Sequence, residues 1–157
     1  MKKLFFVFFI AILMLPVANL TAQEGFTLLS FDIGQAPSFL VDGSNTLSSH
    51  AVFGLNVRVA GPMIIGFTNY DGFARFVKGK FDINGQLRAV IGYGTGNIAG
   101  TPPPSPNYSG LGFEIIPFRR AISGLYTEFK LSPFYAFVND GVAKGRLLLP
   151  LALSVGF

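Results

Sequence analysis

The residues Leu147-Leu148-Leu149-Pro150-Leu151-Ala152-Leu153-Ser154-Val155-Gly156-Phe157 decide how the chain reads. Counted back from Phe157, every second side chain is large and apolar: Val155, Leu153, Leu151, Leu149 and Leu147. Between them stand Gly156, Ser154, Ala152, Pro150 and Leu148, which are mostly small. Side chains alternate across a strand, so this spacing predicts a strand with one greasy face and one compact face. Two settings fit: the last core strand of a soluble β-domain, or a strand whose greasy face meets lipid.

The other end of the chain points to export. Met1-Lys2-Lys3 is a short positive start, Leu4 to Leu15 is an unbroken apolar run, and Pro16 to Ala22 is a small-residue exit. That is the layout of a secretory leader, with cleavage after Ala22 or Gln23. The run is shorter than the roughly 20 apolar residues a spanning helix needs. Removing 22 of the 157 residues leaves 135, the length of one domain. The expected division is therefore a leader over 1–22 and a single β-domain over 23–157. Without Lys2 and Lys3 the net charge is only +2, and no basic run interleaves with aromatics, so nucleic acid is not an expected partner. There is no cysteine, hence no disulfide and no thiolate chemistry.

Half of the residues are hydrophobic, 18 of them Phe, and only 13% are charged. Beyond the leader this apolar content comes in alternating packets rather than one long run, as a membrane barrel requires and a helical membrane protein does not. The packets predict seven strands before the closing one: Gly25–Gly34, His50–Ala60, Met63–Tyr70, Phe73–Ile83, Gln86–Gly94, Tyr108–Pro117 and Ala121–Leu131. Ala60-Gly61-Pro62, Asp71-Gly72, Asn84-Gly85 and Phe118-Arg119-Arg120 are the expected turns, Asn84-Gly85 as a two-residue type I′ hairpin. Long polar connections are expected over 35–49, 95–107 and 132–145, all at the end opposite both termini.

An even number of strands, long loops on one side, and tight turns with both termini on the other form the pattern of outer-membrane barrels. The chain resembles the small eight-stranded outer-membrane proteins of the OmpA, OmpX and OmpW type, over its whole mature length and by pattern rather than by a motif. The closing strand, through Leu149, Leu151, Leu153, Val155 and Phe157, resembles their assembly signal. The resemblance implies an all-β, eight-stranded antiparallel up-and-down transmembrane β-barrel in an outer membrane. It also implies lipid around the barrel and the barrel-assembly machinery as a partner of the closing strand.

On the opposite faces of the strands stand Asp32, Arg58, Arg88, Glu114, Glu128 and Lys130, with Lys78, Lys80 and Asp82 beside them. Eight strands leave an interior only wide enough for side chains, so both signs are expected to pair there and plug the lumen. Two features depart from the pattern. Pro150 has no N–H and stands in the closing strand, where a bulge or gap is expected. Arg75 falls on a greasy face, near the outer end of its strand. Phe26, Phe73, Tyr93, Tyr108 and Phe157 stand near strand ends and suit interfacial girdles.

His50 is the only histidine, and Ser48 shares its face. A Ser–His hydrolase needs a carboxylate to orient the base, and Asp42 is the nearest in sequence. A solvated strand-end histidine is the simpler reading, so no enzymatic activity, metal site or cofactor is expected. Three roles fit the whole. One is a structural or adhesive barrel acting through the loops 35–49, 95–107 and 132–145. Another is a narrow channel for small or hydrophobic solutes. The last is a periplasmic lipocalin-like carrier.

Overall fold

The computed structural model describes residues 29–40, 47–96, 107–138 and 145–157. The expected leader, Phe26 and the central parts of the three expected long loops lie outside them. The described residues form ten strand segments: β1 Leu29–Leu40, β2 Leu47–Ala60, β3 Met63–Tyr70, β4 Ala74–Asp82 and β5 Leu87–Gly96. There follow β6 Asn107–Ile122, β7 Leu125–Leu131, β8 Phe134–Val138, β9 Gly145–Leu148 and β10 Leu151–Gly156. Every pairing is antiparallel. β7 and β8 lie end to end beside β6, and β9 and β10 lie end to end beside β1. Ten segments therefore make eight staves, and the pairing of β1 with β10 closes the ring. Closure removes the sheet edges.

Prolines explain why two staves are broken. Pro150 interrupts the last stave between Leu148 and Leu151, and Pro133 interrupts the neighbouring one between Leu131 and Phe134. A proline cannot donate to the ladder. The gaps are bridged instead by Leu149 N–H donating to the Pro37 carbonyl (2.9 Å), Ser132 N–H to Pro150 (2.9 Å) and Phe113 N–H to Pro133 (3.0 Å). The gap expected at Pro150 is thus one part of a crease that runs across adjacent staves.

Several expected boundaries need correction. Residues 35–40 and 47–49 belong to β1 and β2, not to a loop. Their polar and small side chains mimic a loop in sequence, yet Ala36 and Ser38 are fully buried and face inward. Residues 134–138 and 145 likewise belong to strands, within the expected loop 132–145. Phe118-Arg119-Arg120 is not a turn: β6 runs on to Ile122, through a bulge between Ile115 and Phe118 at Pro117. The turn is Ser123-Gly124, with φ of 48° and 85°. Positive φ at both positions is the type I′ geometry that matches the twist of a hairpin. At Asn84-Gly85 only Gly85 has positive φ (79°), so that hairpin is not type I′. There Asn84 Oδ1 accepts from the N–H groups of Gln86 (3.0 Å) and Leu87 (2.8 Å), and the side chain caps a longer loop. Alanine at Gly124 is expected to cost about 1 kcal/mol, read as a lower urea midpoint, because a Cβ disfavours φ of 85°.

The turns at Gly61-Pro62, Asn84–Gln86 and Ser123-Gly124 share one end of the barrel with Leu29 and Phe157. We call it the turn end. The Asp71–Phe73 turn marks the other, the loop end.

Candidate functional site: a filled lumen inside an apolar surface

Alternation along the staves divides the side chains into two populations. Among the described residues 24 large apolar ones stand outward, each at least 37% exposed, including Phe31, Phe53, Ile65, Val77, Ile91, Phe113, Phe129 and Leu153. Leu151, Val155 and Phe157 of the closing strand are among them, whereas Leu149 lies in the break before β10. On β4, the outward face from Arg75 to Ile83 climbs roughly 20 Å at about 3.3 Å per residue and a tilt near 40°. Inward stand the ionisable groups, of which Lys78, Lys80, Arg88, Glu114, Glu128 and Lys130 are each at most 7% exposed. A protein folded for water places these two populations the other way round.

The lumen has two layers. The layer toward the turn end is ionic. Asp32 meets Lys130 (2.9 Å) and Lys80 (3.9 Å), and Lys80 also pairs with Glu114. Arg88 is the hub: it reaches Glu128 (3.0 Å), Glu114 (3.3 Å) and Asp82 (3.4 Å). Arg58 closes on Asp82 (3.4 Å), and Lys130 on Glu128 (3.5 Å). The structure therefore brings all six lumen residues singled out in the sequence into one network, together with Lys80 and Asp82. It adds Arg119, whose Nε donates to Glu128 (2.9 Å). In the sequence Arg119 looked like part of a turn. The bulge at Pro117 shifts the alternation and turns it inward.

The layer toward the loop end is aromatic. Tyr70, Phe76, Tyr108 and Phe134 are each at most 2% exposed and fill the cross-section. Phe76 stands edge-on to both Tyr70 (6.0 Å) and Phe134 (5.3 Å). Gly92 and Gly110 make room for the Phe134 ring: a Cβ at Gly92 falls 2.9 Å from its Cζ, and one at Gly110 comes closer still. Lys78 joins the layers, its Nζ donating to Tyr70 Oη (2.8 Å) and lying 4.5 Å from the Phe134 ring centroid. Tyr108 and Phe73 are thus lumen residues rather than the girdle residues expected from the sequence. Tyr93 and Phe157 do face outward, 56% and 58% exposed. Phe76 was legible from the period-2 spacing with Lys78. Phe134 was hidden in the supposed loop.

At the loop end His50 Nε2 lies 3.0 Å from Ser48 Oγ, and its Nδ1 faces the backbone carbonyl of Asp71 (3.3 Å). Ser48 Oγ also accepts from Arg146 (3.0 Å) and contacts Ser38 Oγ (2.7 Å). Asp42 lies outside the described residues, and His50 stacks on Phe73 at 4.1 Å. Among the described residues no group of His, Asp and Glu is placed to hold a metal ion. Arg75 faces outward near the loop end, paired in register with Asn69 and Thr95, and its Nε donates to Asn69 Oδ1 (3.3 Å). Its guanidinium therefore sits in a polar row at the edge of the apolar band.

No family model matches the chain, and no curated protein does. A solved structure described as "De novo design of transmembrane beta-barrels" is similar to it. The TM-score is 0.41 at 14% identity, covering 80% of this chain and 94% of that one. The fold rests on the pairing itself. It is a closed, eight-stranded antiparallel β-barrel.

Proposed function

We propose that the chain is a small integral outer-membrane barrel with a plugged lumen and a structural or surface-interaction role. The observation that carries this is the inverted surface: a continuous apolar exterior around a buried ionic core. In water such an exterior is an aggregation hazard; in lipid it is the required solvent match. The apolar height of roughly 20 Å approaches the band of about 25 Å that outer-membrane barrels present. The leader and the closing strand support export and insertion by an assembly machinery. The resemblance to OmpA, OmpX and OmpW-type proteins agrees with this reading at the level of pattern.

Both alternatives meet specific obstacles. A channel needs an open path, whereas Phe76 and Phe134 fill one layer and the Arg88 network fills the other. A carrier of apolar ligands needs its greasy faces inward. Catalysis is not assigned, because His50 is oriented by a carbonyl and Ser48 is held by Arg146 and Ser38.

Fractionation with gel mobility tests the proposal. The protein is expected in washed outer membranes, resistant to cold SDS, and shifted on boiling. Recovery in osmotic-shock fluid without a mobility shift sinks it in favour of a carrier. In planar bilayers no steady unitary current is expected, and steady currents lost on neutralising lumen charges point to the channel.

A further inference from the structure

At the turn end the ionic layer opens into a pocket of about 40 Å³, walled by Arg58, Arg88, Arg119, Glu128, Asn56 and Ser154 among others. One water needs roughly 10–15 Å³ of such space, so the pocket has room for a small species with a water or two beside it. Two independent features specify its chemistry.

The first is charge. Among the described residues, Asp32, Asp82, Glu114 and Glu128 are matched in number by the deep cations Lys78, Lys80, Arg88 and Lys130. That leaves Arg58 and Arg119, which share Asp82 and Glu128 with cations already counted. Both line the pocket, with side chains 17% and 31% exposed. The layer's positive surplus therefore sits at its open mouth. Charge held out of bulk water is costly unless a counter-charge meets it.

The second is unmet hydrogen bonding. Arg58 Nε and Asn56 Oδ1 are buried atoms without a hydrogen-bond partner, and both residues line this pocket. The Ser154 hydroxyl, also in the pocket wall, is turned to Asp32. An N–H is thus left unpaired between two surplus guanidinium groups, which is a donor set for an anion. The Asn56 oxygen suits a water that accompanies it. Both oxygens of Glu128 are engaged by Arg88, Arg119 and Lys130.

We propose that this pocket binds one small monovalent anion of chloride size, between Arg58 and Arg119 with the Arg58 Nε–H donating. The bound anion offsets one of the two surplus charges and ties the turn-end mouth of the plug together.

The test uses the full-length protein folded in detergent and follows the temperature at which the SDS-resistant form is lost. Sodium chloride is compared with sodium gluconate at equal ionic strength, gluconate being too large for the pocket. The midpoint is expected to rise with chloride and to saturate, by about 5 °C at tenfold the dissociation constant, and not to rise with gluconate. Arg58→Gln and Arg119→Gln should each remove the chloride-specific part. A crystal grown in bromide should show a halide peak in the pocket. Equal shifts in the two salts, or a chloride-specific shift that survives in both variants, overturn the proposal. Either result leaves the barrel itself, read from mobility, untouched.

Discussion

Replacing Arg88 by alanine is expected to lower barrel stability by about 3–5 kcal/mol, the largest loss of any single charge deletion in the lumen. Arg88 is 4% exposed and spans three carboxylates, Asp82, Glu114 and Glu128. Without it, the buried acids outnumber the deep cations. Glu128 keeps Lys130 and Arg119, and Glu114 keeps Lys80, so the deficit is shared rather than localised. A buried carboxylate that loses its partner retains the desolvation cost and loses the Coulomb return. The network as a whole need not be strongly stabilising for this to hold. Removing both sides of a pair differs from removing one, so Arg88→Met with Glu128→Gln should recover much of the loss. Arg119→Ala is the contrast: its side chain is 31% exposed, and a loss under about 1 kcal/mol is expected. Urea-induced unfolding in detergent measures all three. If Arg88→Ala and Arg119→Ala shift the midpoint equally, the lumen is wetter than its burial indicates and the plug reading fails.

The strands were legible in the sequence because a barrel wall enforces period 2 on both of its faces. β3 runs from Met63 to Tyr70, the bounds its alternation predicts. The errors fall where lumen chemistry resembles loop chemistry. Ala36 and Ser38 are small because they face a crowded interior; with the exposed Gln35 and with Pro37 on the other face, they make a composition that also marks a turn. Pro133 breaks its ladder and so reads as the end of a strand, while the stave resumes beyond it; Pro150 reads as a gap inside the closing strand, and a gap is what stands there. The Arg119-Arg120 pair invited a turn because two adjacent charges suit solvent. A bulge at Pro117 sends Arg119 inward and leaves Arg120 exposed at the turn end. Ser123-Gly124 carries a turn signal of its own, a small polar residue before glycine, a few residues beyond the charged pair. The six charged residues came together because inward position alone forces them into one narrow layer. The aromatic layer was harder to see. Phe76 shares the face of Lys78 and Lys80, which separates it from the outward Val77, but its partner Phe134 stood in a stretch that reads as loop.

Arginine at Ile91 is the substitution whose effect depends most on what surrounds the barrel. Ile91 lies near the middle of β5, points outward and is 69% exposed, the highest value among the large apolar residues. Its neighbours in register are Gly79 and Leu111, so no packed partner is lost and no clash is created. On a protein surrounded by water, an exposed Ile-to-Arg change of this kind stays within about 0.5 kcal/mol. In a bilayer the same guanidinium enters the hydrocarbon near its midplane and costs roughly 2–4 kcal/mol. The cost falls to about 0–1 kcal/mol near an interface. Ile83→Arg, just beyond the turn-end limit of β4, is therefore the matched control, since Ile83 is 53% exposed and equally apolar. Reversible folding into lipid vesicles, with urea as denaturant, measures both. A large loss at Ile91 with a small one at Ile83 is the depth dependence that a lipid-facing band imposes. Small, equal losses at both positions would mean that the exposed Phe, Ile and Leu side chains face water or another protein, and the membrane assignment would fall with them.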